Sequence, residues 1–408
     1  MRPASGPTAL GDLDESPAHR LGGTRPAVRG SGRRTRPAER TCLLTYRIGP
    51  RREEGPTQRV IRWLLPVLAR HGRAIDLVAV GTAVRADWML EVPSLRVAAF
   101  GCDSWTAALP ALRKYFGSAR PATCVSVHPM LSVLALAAAN TITGARPRIY
   151  AWEPTIASLT GKMLPELLRR SLHHLQRELY PQASGILAVS TDCLHDLESM
   201  GISGPRRAVV PNCLDQLEIY RGVHACRELH LPHGGFLIVA AGRLSPEKGY
   251  EVLLRALAVV CRKRSDVRLV LVGDGVERAL LQSLSQELGI ADRVSFVGSS
   301  AYPWPWFGIG SVFVHPALWE GFGMSLLEAM ALGLPVIATS CPGGPKEILE
   351  GGRSGLLVPP GDEITLASAI ERLLKDPILR ADLRARARAR ADAYSPENVA
   401  SILEAAIA

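Results

Sequence analysis

Apolar and polar positions along this chain predict strands and helices in regular succession. From residue 41 onward, short runs rich in Val, Ile and Leu are separated by stretches with helical spacing. Such alternation is typical of parallel βαβ units whose strands are covered by helices on both faces. The predicted strands are TCLLTYRIG, AIDLVAVG, LRVAAFG, ATCVSVHP, PRIYAWEP and SGILAVS in the first half, then FLIVAAG, VRLVLVG, RVSFVG, SVFVHPA, PVIATS and GLLVPP.

A polar, weakly periodic segment divides these strands into two series. At 408 residues the chain is long enough for two domains. We predict a Rossmann-like domain over residues 41–215, a linker over 216–234, a second Rossmann-like domain over 235–394 and a C-terminal helix over 395–408. The fold class is therefore α/β, with two doubly wound domains facing a cleft and ligands bound at the carboxyl ends of the strands.

The first 40 residues differ from the rest in composition. They carry eight arginines against four acids and show no periodic apolar pattern, which predicts a disordered basic tail. The tail is either a tether for an anionic surface, a solvated segment or an over-extended gene start. Although the net charge is +10, no stripe of aromatic and basic residues accompanies it, so we expect no nucleic-acid partner.

Composition also narrows the class of protein. Apolar residues make up 47% of the chain, but no apolar run reaches the length of a membrane span and no signal-peptide core is present. The eight cysteines are scattered without a C-x-x-C pair, which indicates reduced thiols in a cytoplasmic protein. The only Asp-x-Asp motif, Asp12 and Asp14, falls in the predicted tail, so we expect no metal site.

One predicted helix, over residues 162–179, separates apolar from basic side chains. The apolar half of this helix either packs on the sheet of its own domain or docks on anionic lipid. Docking on lipid would place the protein on the cytoplasmic face of the inner membrane. The apolar half holds Met163, Leu164, Leu167, Leu168, Leu172, Leu175 and Leu179, and the other half holds Lys162, Arg169, Arg170, His173 and Arg177.

The stretch LWEGFGMSLLEAM places two carboxylates in an almost wholly apolar run. Its spacing predicts a helix from Met324 to Leu332, bounded by Gly323 and Gly333, with Glu328 on the apolar side. An unpaired buried carboxylate is costly, so Glu328 needs a partner or a ligand.

A second polar cluster follows the strand FLIVAAG. Arg243 ends that strand after Gly242, and Lys248 lies near the start of the next helix. A guanidinium and an ammonium group that converge there would suit a diphosphate, whereas the alternative is two surface cations around a turn.

The order of the motifs is more specific than any one of them. GRLSPEKG, VGDG, RVSFVG, E-GFGMSLL-E, GGPKEI and SGLLVPPGD follow one another between residues 240 and 362. This order resembles the retaining GT-B glycosyltransferases that use nucleotide sugars, often called family 4 or glycosyl transferases group 1. The resemblance runs from about residue 41 to the C-terminus. It implies an N-terminal acceptor domain, a C-terminal nucleotide-sugar domain, and no cofactor or metal.

The resemblance also implies roles for individual residues. Arg243 and Lys248 would stabilise the departing diphosphate, and Glu320 would contact the donor sugar; a nucleophilic Glu320 is the less favoured alternative. Glu328 would bind the ribose hydroxyls. The remaining donor-binding positions are Gly242, Val297 beside the base, and Phe322, Gly323 and Met324 at the helix start that favours a phosphate.

The N-terminal half departs from this pattern in two places. The run EGPTQRV keeps Gly55 of the family's Gly-Gly loop, but Pro56 replaces the second glycine and removes an N–H group. At the end of the strand PRIYAWEP, relatives commonly have a histidine where this chain has Glu153 and its neighbours. Glu153 either replaces that histidine as a polar contact on the acceptor side or faces solvent.

The run SCPGGPKEIL is similar to the branch that uses UDP-sugars in bacterial surface-glycan assembly, with Glu347 binding a hydroxyl or capping the next helix. The sequence therefore predicts transfer of a hexose or N-acetylhexosamine, from UDP rather than GDP, to a glycan acceptor linked to polyprenyl diphosphate. The alternative is a non-catalytic nucleotide-sugar-binding or scaffold protein with a degraded acceptor half.

Overall fold

A computed structural model describes residues 40–50, 54–83, 86–162, 164–223 and 235–408. The predicted tail up to residue 39, with Asp12 and Asp14, lies outside these ranges, as do Met163 and residues 224–234 of the predicted linker. Within the described ranges the chain forms two parallel sheets flanked by helices, so the predicted fold of two Rossmann-like domains is confirmed.

The N-terminal sheet has the strand order β3-β2-β1-β4-β5-β6-β7 and the C-terminal sheet the order β10-β9-β8-β11-β12-β13. Every predicted strand is present, and Arg40, placed in the tail by the sequence, is the first residue of β1. The strands are β1 (Arg40–Thr45), β2 (Ala74–Ala79), β3 (Arg96–Ala99), β4 (Thr123–Ser126), β5 (Arg148–Glu153), β6 (Gly185–Ala188), β7 (Arg207–Val209), β8 (Phe236–Ala241), β9 (Val267–Val272), β10 (Val294–Gly298), β11 (Val312–His315), β12 (Val336–Thr339) and β13 (Leu356–Val358).

Helices connect these strands and cover both faces of each sheet. They are α1 (Pro56–Arg70), α2 (Trp105–Ala119), α3 (Pro129–Asn140), α4 (Ala157–Gly161), α5 (Glu166–Leu179), α6 (Thr191–Ser199), α7 (Gln216–Val223), α8 (Tyr250–Cys261), α9 (Arg278–Glu287), α10 (Trp304–Gly308), α11 (Met324–Ala331), α12 (Pro345–Ile348), α13 (Glu363–Lys375), α14 (Pro377–Asp392) and α15 (Pro396–Ile407).

Successive residues of a strand pack into different apolar clusters. In β1, Cys42 and Leu44 belong to a cluster on one face of the N-terminal sheet, whereas Leu43 belongs to a cluster that continues into the C-terminal domain. In β8, Ile238 and Val239 divide in the same way. Because successive side chains point to opposite faces, the continuous apolar runs of the sequence follow from burial on both sides.

Two element predictions need correction. The predicted linker opens with helix α7, whose Gly222 lies so close to Trp304 that an added Cβ would be 2.1 Å from the indole Cε3. The helix predicted from residue 162 begins at Glu166 instead, because Pro165 has an extended ψ of 138° and disfavours helical geometry before it.

The apolar half of α5 is only partly buried. Leu172 packs into the N-terminal core, but Leu167 is 80% exposed, and Leu168 and Leu175 are also exposed. Packing on its own sheet therefore accounts for only part of this face. The last helix, α15, returns to the N-terminal domain, where the backbone carbonyl of Ile407 accepts a hydrogen bond from Tyr150 Oη at 3.3 Å.

Candidate functional site

The loops that follow β8, β9 and β11 meet at the carboxyl edge of the C-terminal sheet. Gly273 has φ of 149°, and a Cβ there would lie 1.9 Å from the carbonyl oxygen of Gly242. Gly249, with φ of 65°, approaches Pro316 as closely, since its Cβ would lie 2.1 Å from that carbonyl oxygen. Glycine is required at both positions, and this close approach brings the loop of Lys248 against the loop of Glu320.

Lys248 and Glu320 form an ion pair at this edge, with Lys248 Nζ donating a hydrogen bond to Glu320 Oε2. His315, the last residue of β11, places Nε2 3.3 Å from the same oxygen. Burial alone would raise the pKa of Glu320, but Lys248 and His315 outweigh it and hold that pKa well below its usual range. Glu320 is therefore an ionised carboxylate fixed between two basic groups.

Arg243 lies on the loop after β8 that also carries Lys248, and its side chain is exposed to solvent. No partner for its guanidinium is found within the described ranges of the chain. Gly242 makes room for Tyr250, because a Cβ at residue 242 would be 2.8 Å from Tyr250 Oη. The two cations that the sequence singled out thus share one loop at the carboxyl end of β8.

Helix α11 begins where the sequence predicted and carries Glu328 into the interior. Gly323, with φ of 105°, is its N-cap, and Phe322 and Met324 beside it are buried. The first N–H groups of a helix have no intrahelical acceptor, so this helix start favours an anion. Val297 lies in β10, partly buried against the core cluster that also contains α11.

Glu328 is 1% exposed and has one partner from each domain. Trp304 Nε1 donates a hydrogen bond to Oε2 at 3.0 Å, and Arg59 Nη1 lies 3.0 Å from Oε1. The second contact is an ion pair whose alignment does not make a hydrogen bond, so Oε1 keeps its capacity to accept one. Burial raises the pKa of Glu328, and Arg59 and Trp304 only partly offset that effect.

The acceptor-side predictions fare differently. Gly55 is the N-cap of α1 with φ of −74°, and Pro56 is the first helical residue, where a missing N–H costs the helix nothing. Glu153 is 0% exposed and accepts a hydrogen bond from Tyr180 Oη. The alternative that Glu153 faces solvent is therefore wrong. The other alternative, a polar contact in the cleft, is not seen in this structure either, because the Glu153 side chain is buried within the N-terminal domain.

Backbone contacts close the two domains on each other beside Glu320. A Cβ at Gly321 would lie 2.2 Å from the carbonyl oxygen of Pro154, which directly follows Glu153. Thr191 N donates a hydrogen bond at 2.6 Å to Glu347 Oε1, so in this structure Glu347 caps α6 of the other domain. The sequence had suggested a ligand hydroxyl or the following helix for Glu347, and this cross-domain capping replaces the second of those expectations.

Comparisons with known proteins agree with this arrangement. Residues 226–390 match the model of the family described as Glycosyl transferases group 1. The chain carries a glycosyl transferases group 1 domain. That domain contains Arg243, Lys248, Glu320 and Glu328.

Relatives and solved structures extend the match beyond the group 1 domain. An N-acetylgalactosamine-N,N'-diacetylbacillosaminyl-diphospho-undecaprenol 4-alpha-N-acetylgalactosaminyltransferase of Campylobacter jejuni is 30% identical over 62% of this chain and 65% of its own length. Sucrose-phosphate synthase from Thermosynechococcus elongatus shares the fold at a TM-score of 0.71 and 21% identity, covering 90% of this chain and 98% of that one. Anabaena HepE in complex with UDP-glucose gives a TM-score of 0.68 at 20% identity, with the same coverage. The chain spans less than two thirds of the length of the curated relatives it matches first.

Sequence reasoning missed three residues that contact the two glutamates. His315 and Trp304 were given no role, and Arg59 was present only as a letter of the run EGPTQRV. A polar residue at the end of an apolar strand, as in SVFVHPA, was a usable signal for His315. No local signal identifies Arg59 or Trp304, since their contacts with Glu328 depend on how the domains and α10 pack.

In the described ranges of the chain, no three His, Cys, Asp or Glu side chains are grouped to hold a metal ion, and the expectation of metal independence stays a prediction. Each helix of that part of the chain is too short or too polar to cross a bilayer.

Proposed function

We propose that this protein is a retaining glycosyltransferase. It would move a hexose or N-acetylhexosamine from a nucleotide sugar, UDP-linked rather than GDP-linked, to a glycan acceptor. The observation that carries this proposal is the Lys248–Glu320 ion pair just before α11, with Arg243 exposed on the loop of Lys248, within a glycosyl transferases group 1 domain. The complex of HepE with UDP-glucose supports a UDP-sugar for a protein of this fold.

The chemistry follows from the charges at the sheet edge. Arg243, Lys248 and the N–H groups at the start of α11 would stabilise the charge that develops on the departing diphosphate. The free acceptor capacity of Glu328 Oε1 suits a ribose hydroxyl, which would supply the hydrogen bond that Arg59 does not. These groups supply positive charge without a metal or a cofactor.

Glu320 acts on the donor sugar in this proposal. Its carboxylate is ionised and fixed by Lys248 and His315, so it is suited to accept hydrogen bonds from sugar hydroxyls. A carboxylate whose charge is stabilised by two basic groups is a weak nucleophile, which makes a double displacement through Glu320 the less favoured route. The departing diphosphate would then take the acceptor's proton on the same face of the sugar.

The acceptor would be linked to polyprenyl diphosphate in surface-polysaccharide synthesis, as the name of the C. jejuni relative suggests. Helix α5 would then contact an anionic membrane on its cytoplasmic side, because Leu167 and Leu168 are exposed beside Arg170. Sedimentation with phosphatidylglycerol vesicles tests this contact. Leu167→Glu with Leu168→Glu should abolish binding, and Leu280→Glu, at an exposed leucine of α9, should not.

The decisive experiment is a panel of UDP-, GDP- and ADP-sugars, with thermal shift and nucleoside diphosphate release measured on the same samples. We expect a UDP-sugar to raise the melting temperature and to be slowly hydrolysed, with both effects lost in Arg243→Ala and Glu328→Ala. Stabilisation without release, even with lipid-linked acceptors, would favour the scaffold alternative. No response to any nucleotide sugar would contradict the proposal.

A further inference from the structure

The first turn of α6, in the N-terminal domain, contacts the loop of Glu320 in the C-terminal domain. Ser190, the N-cap of α6, donates a hydrogen bond from Oγ to the carbonyl oxygen of Gly321 at 3.2 Å. Two residues further on, Asp192 Oδ2 accepts a hydrogen bond from Gly343 N at 2.9 Å. Both bonds join the two domains beside the residue that would meet the donor sugar.

Gly343 lies directly against the backbone of Glu320. Glu320 N donates a hydrogen bond to the carbonyl oxygen of Pro342 at 3.0 Å. In the same way, Gly344 N donates to the carbonyl oxygen of Gly321 at 3.2 Å. A Cβ at residue 343 would lie 1.6 Å from the Glu320 carbonyl oxygen, so no side chain fits between these two segments. A displacement of Gly343 would therefore displace the backbone of Glu320 as well.

The bond between Asp192 and Gly343 lies where water has little access. Gly343 is buried, and Asp192 is half-buried. No other acceptor for Gly343 N is found among the residues that the structure describes. A hydrogen bond to a carboxylate is stronger than one between neutral groups, and a buried N–H group that loses its acceptor is unfavourable. The Asp192 carboxylate therefore fixes where Gly343 can lie.

We infer that Asp192 is a positioning residue for the donor-sugar loop. Its carboxylate holds Gly343 N, and Gly343 in turn holds the backbone of Glu320 where the Glu320 side chain meets the sugar. The cations and Glu328 that would bind the rest of the donor belong to the C-terminal domain, so Asp192 acts on the sugar-binding loop from the opposite domain. The inference rests on the proposed function, which assigns the donor sugar to Glu320.

The alternative is a purely structural role of Asp192 in its own helix. Asp192 lies in the first turn of α6, where the helix dipole favours an acid. That role predicts lower stability once the charge is removed, with unchanged turnover by the folded protein. The positioning role predicts a loss of turnover that depends on the acceptor oxygen at residue 192 and not on its charge.

Steady-state kinetics and calorimetry on the full chain separate the two roles. The measurements are nucleoside diphosphate release from the UDP-sugar and the Kd for UDP, which lacks the sugar. We expect kcat to fall about tenfold in Asp192→Ala, the effect of one lost hydrogen bond on the activation barrier, with an unchanged Kd for UDP. Asp192→Asn keeps an acceptor oxygen without the charge and should recover most of kcat. Glu363→Ala, which removes a first-turn acid of α13, is the matched control and should keep kcat.

Three results would overturn the positioning role. They are an unchanged kcat in Asp192→Ala, a kcat in Asp192→Asn as low as in Asp192→Ala, and a Kd for UDP that rises as much as kcat falls. If Asp192→Ala fails to fold, Asp192→Ser is measured in its place, because its side chain is one atom shorter and stops short of Gly343 N.

Amide hydrogen exchange adds a readout that needs no turnover. The peptide that contains Gly343 should exchange faster in Asp192→Ala than in the wild type, Asp192→Asn or Glu363→Ala, because its N–H group has lost its acceptor. Exchange at the wild-type rate in Asp192→Ala would overturn the inference. A wild type that neither binds nor hydrolyses any nucleotide sugar would count against the proposed function instead, and hydrogen exchange would then decide whether Asp192 holds the loop.

Discussion

The two sheet edges of this molecule have the same backbone architecture but different electrostatics. At the C-terminal edge, Glu320 lies between Lys248 and His315, and Arg243 is exposed on the loop of Lys248. At the N-terminal edge, Glu153 is fully buried and accepts a hydrogen bond from neutral Tyr180. The pKa of Glu320 is lowered, whereas burial raises the pKa of Glu153 to about 7.

The carboxylates at these two strand ends therefore differ in what they can bind. A carboxylate held by cations can meet a polar substrate without changing its charge, which suits a site for nucleotide sugars. A buried carboxylate without a counter-charge must give up its charge or destabilise the fold, and it is poorly placed to bind ligands. The charged groups suited to binding a polar substrate therefore lie at the C-terminal edge.

Removing Lys248 should have the largest effect on activity, because it removes a positive charge from the C-terminal sheet edge. Lys248→Ala takes away a cation of the proposed diphosphate site and leaves His315 as the basic side chain beside Glu320. By the usual cost of one transition-state donor, we expect nucleoside diphosphate release to fall about 10²–10³-fold. The measurement is kcat/KM for the UDP-sugar. Lys263→Ala, which removes a lysine–glutamate pair on the surface, is the control, and an equal loss in both variants would contradict the assignment.

Replacing Glu153 should change how the stability of the protein depends on pH, because the pKa of this buried carboxyl is raised. Because the folded-state pKa of about 7 exceeds the usual 4.5, the native state loses stability as the pH rises from about 4.5 through 7. Above that window the loss is about 3 kcal/mol. Glu153→Gln cannot ionise and still accepts from Tyr180, so it should be more stable than the wild type at pH 8 and nearly equal at pH 5.

Thermal melting of both proteins at the two pH values checks this prediction. Glu251→Gln, at an exposed glutamate of α8, is the matched control and should change the melting temperature little at either pH. A Glu153→Gln protein that gains the same stability at pH 5 and pH 8 would show that Glu153 does not titrate in this range.

Arg59 links the two edges, since it pairs with Glu328 across the domains at 3.0 Å. Arg59→Ala would leave Glu328 buried without its counter-charge and should cost about 2–3 kcal/mol of stability. That figure is at the low end for a buried pair because the Arg59 side chain is 15% exposed. Adding Glu328→Gln should restore most of the loss in melting temperature. If the double variant is no more stable than Arg59→Ala, the pair is not the cause.

How much the sequence predicts differs between the two halves for a physical reason. Around Glu320 the chemistry is local, since Gly242, Lys248 and the start of α11 lie in short motifs whose glycines adopt positive φ and let the loops approach closely. The strands themselves were also predictable, because burial on both faces leaves long apolar runs.

Contacts between distant parts of the chain could not be predicted in this way. The linker segment opens with a helix whose Gly222 packs on Trp304, and Glu347 caps a helix of the other domain. The burial of Glu153 depends on Tyr180, which lies 27 residues further along the chain. A pattern within a short stretch of sequence does not show which distant residues pack together. The burial of Glu153 could therefore be seen only in the structure.

The smallest effect is expected at Gly55, the glycine that the resemblance marked as part of the acceptor side. Its φ of −74° suits any residue, and a Cβ there would meet only Gln58 Oε1 at 3.9 Å. Gly55→Ala loses a few tenths of a kcal/mol as a helix cap and gains about as much from a stiffer unfolded chain, so the melting temperature should hardly change.

Gly343→Ala is the matched variant on the charged edge, where φ is 119° and the Cβ would lie 1.6 Å from the carbonyl oxygen of Glu320. It should lower both the melting temperature and donor turnover, because the loop of Glu320 must move to admit the methyl group. A large loss of turnover in Gly55→Ala, with the melting temperature unchanged, would mean that the backbone at Gly55 approaches the substrates closely. The N-terminal edge would then contribute to donor chemistry after all, and the contrast drawn between the two edges would no longer hold.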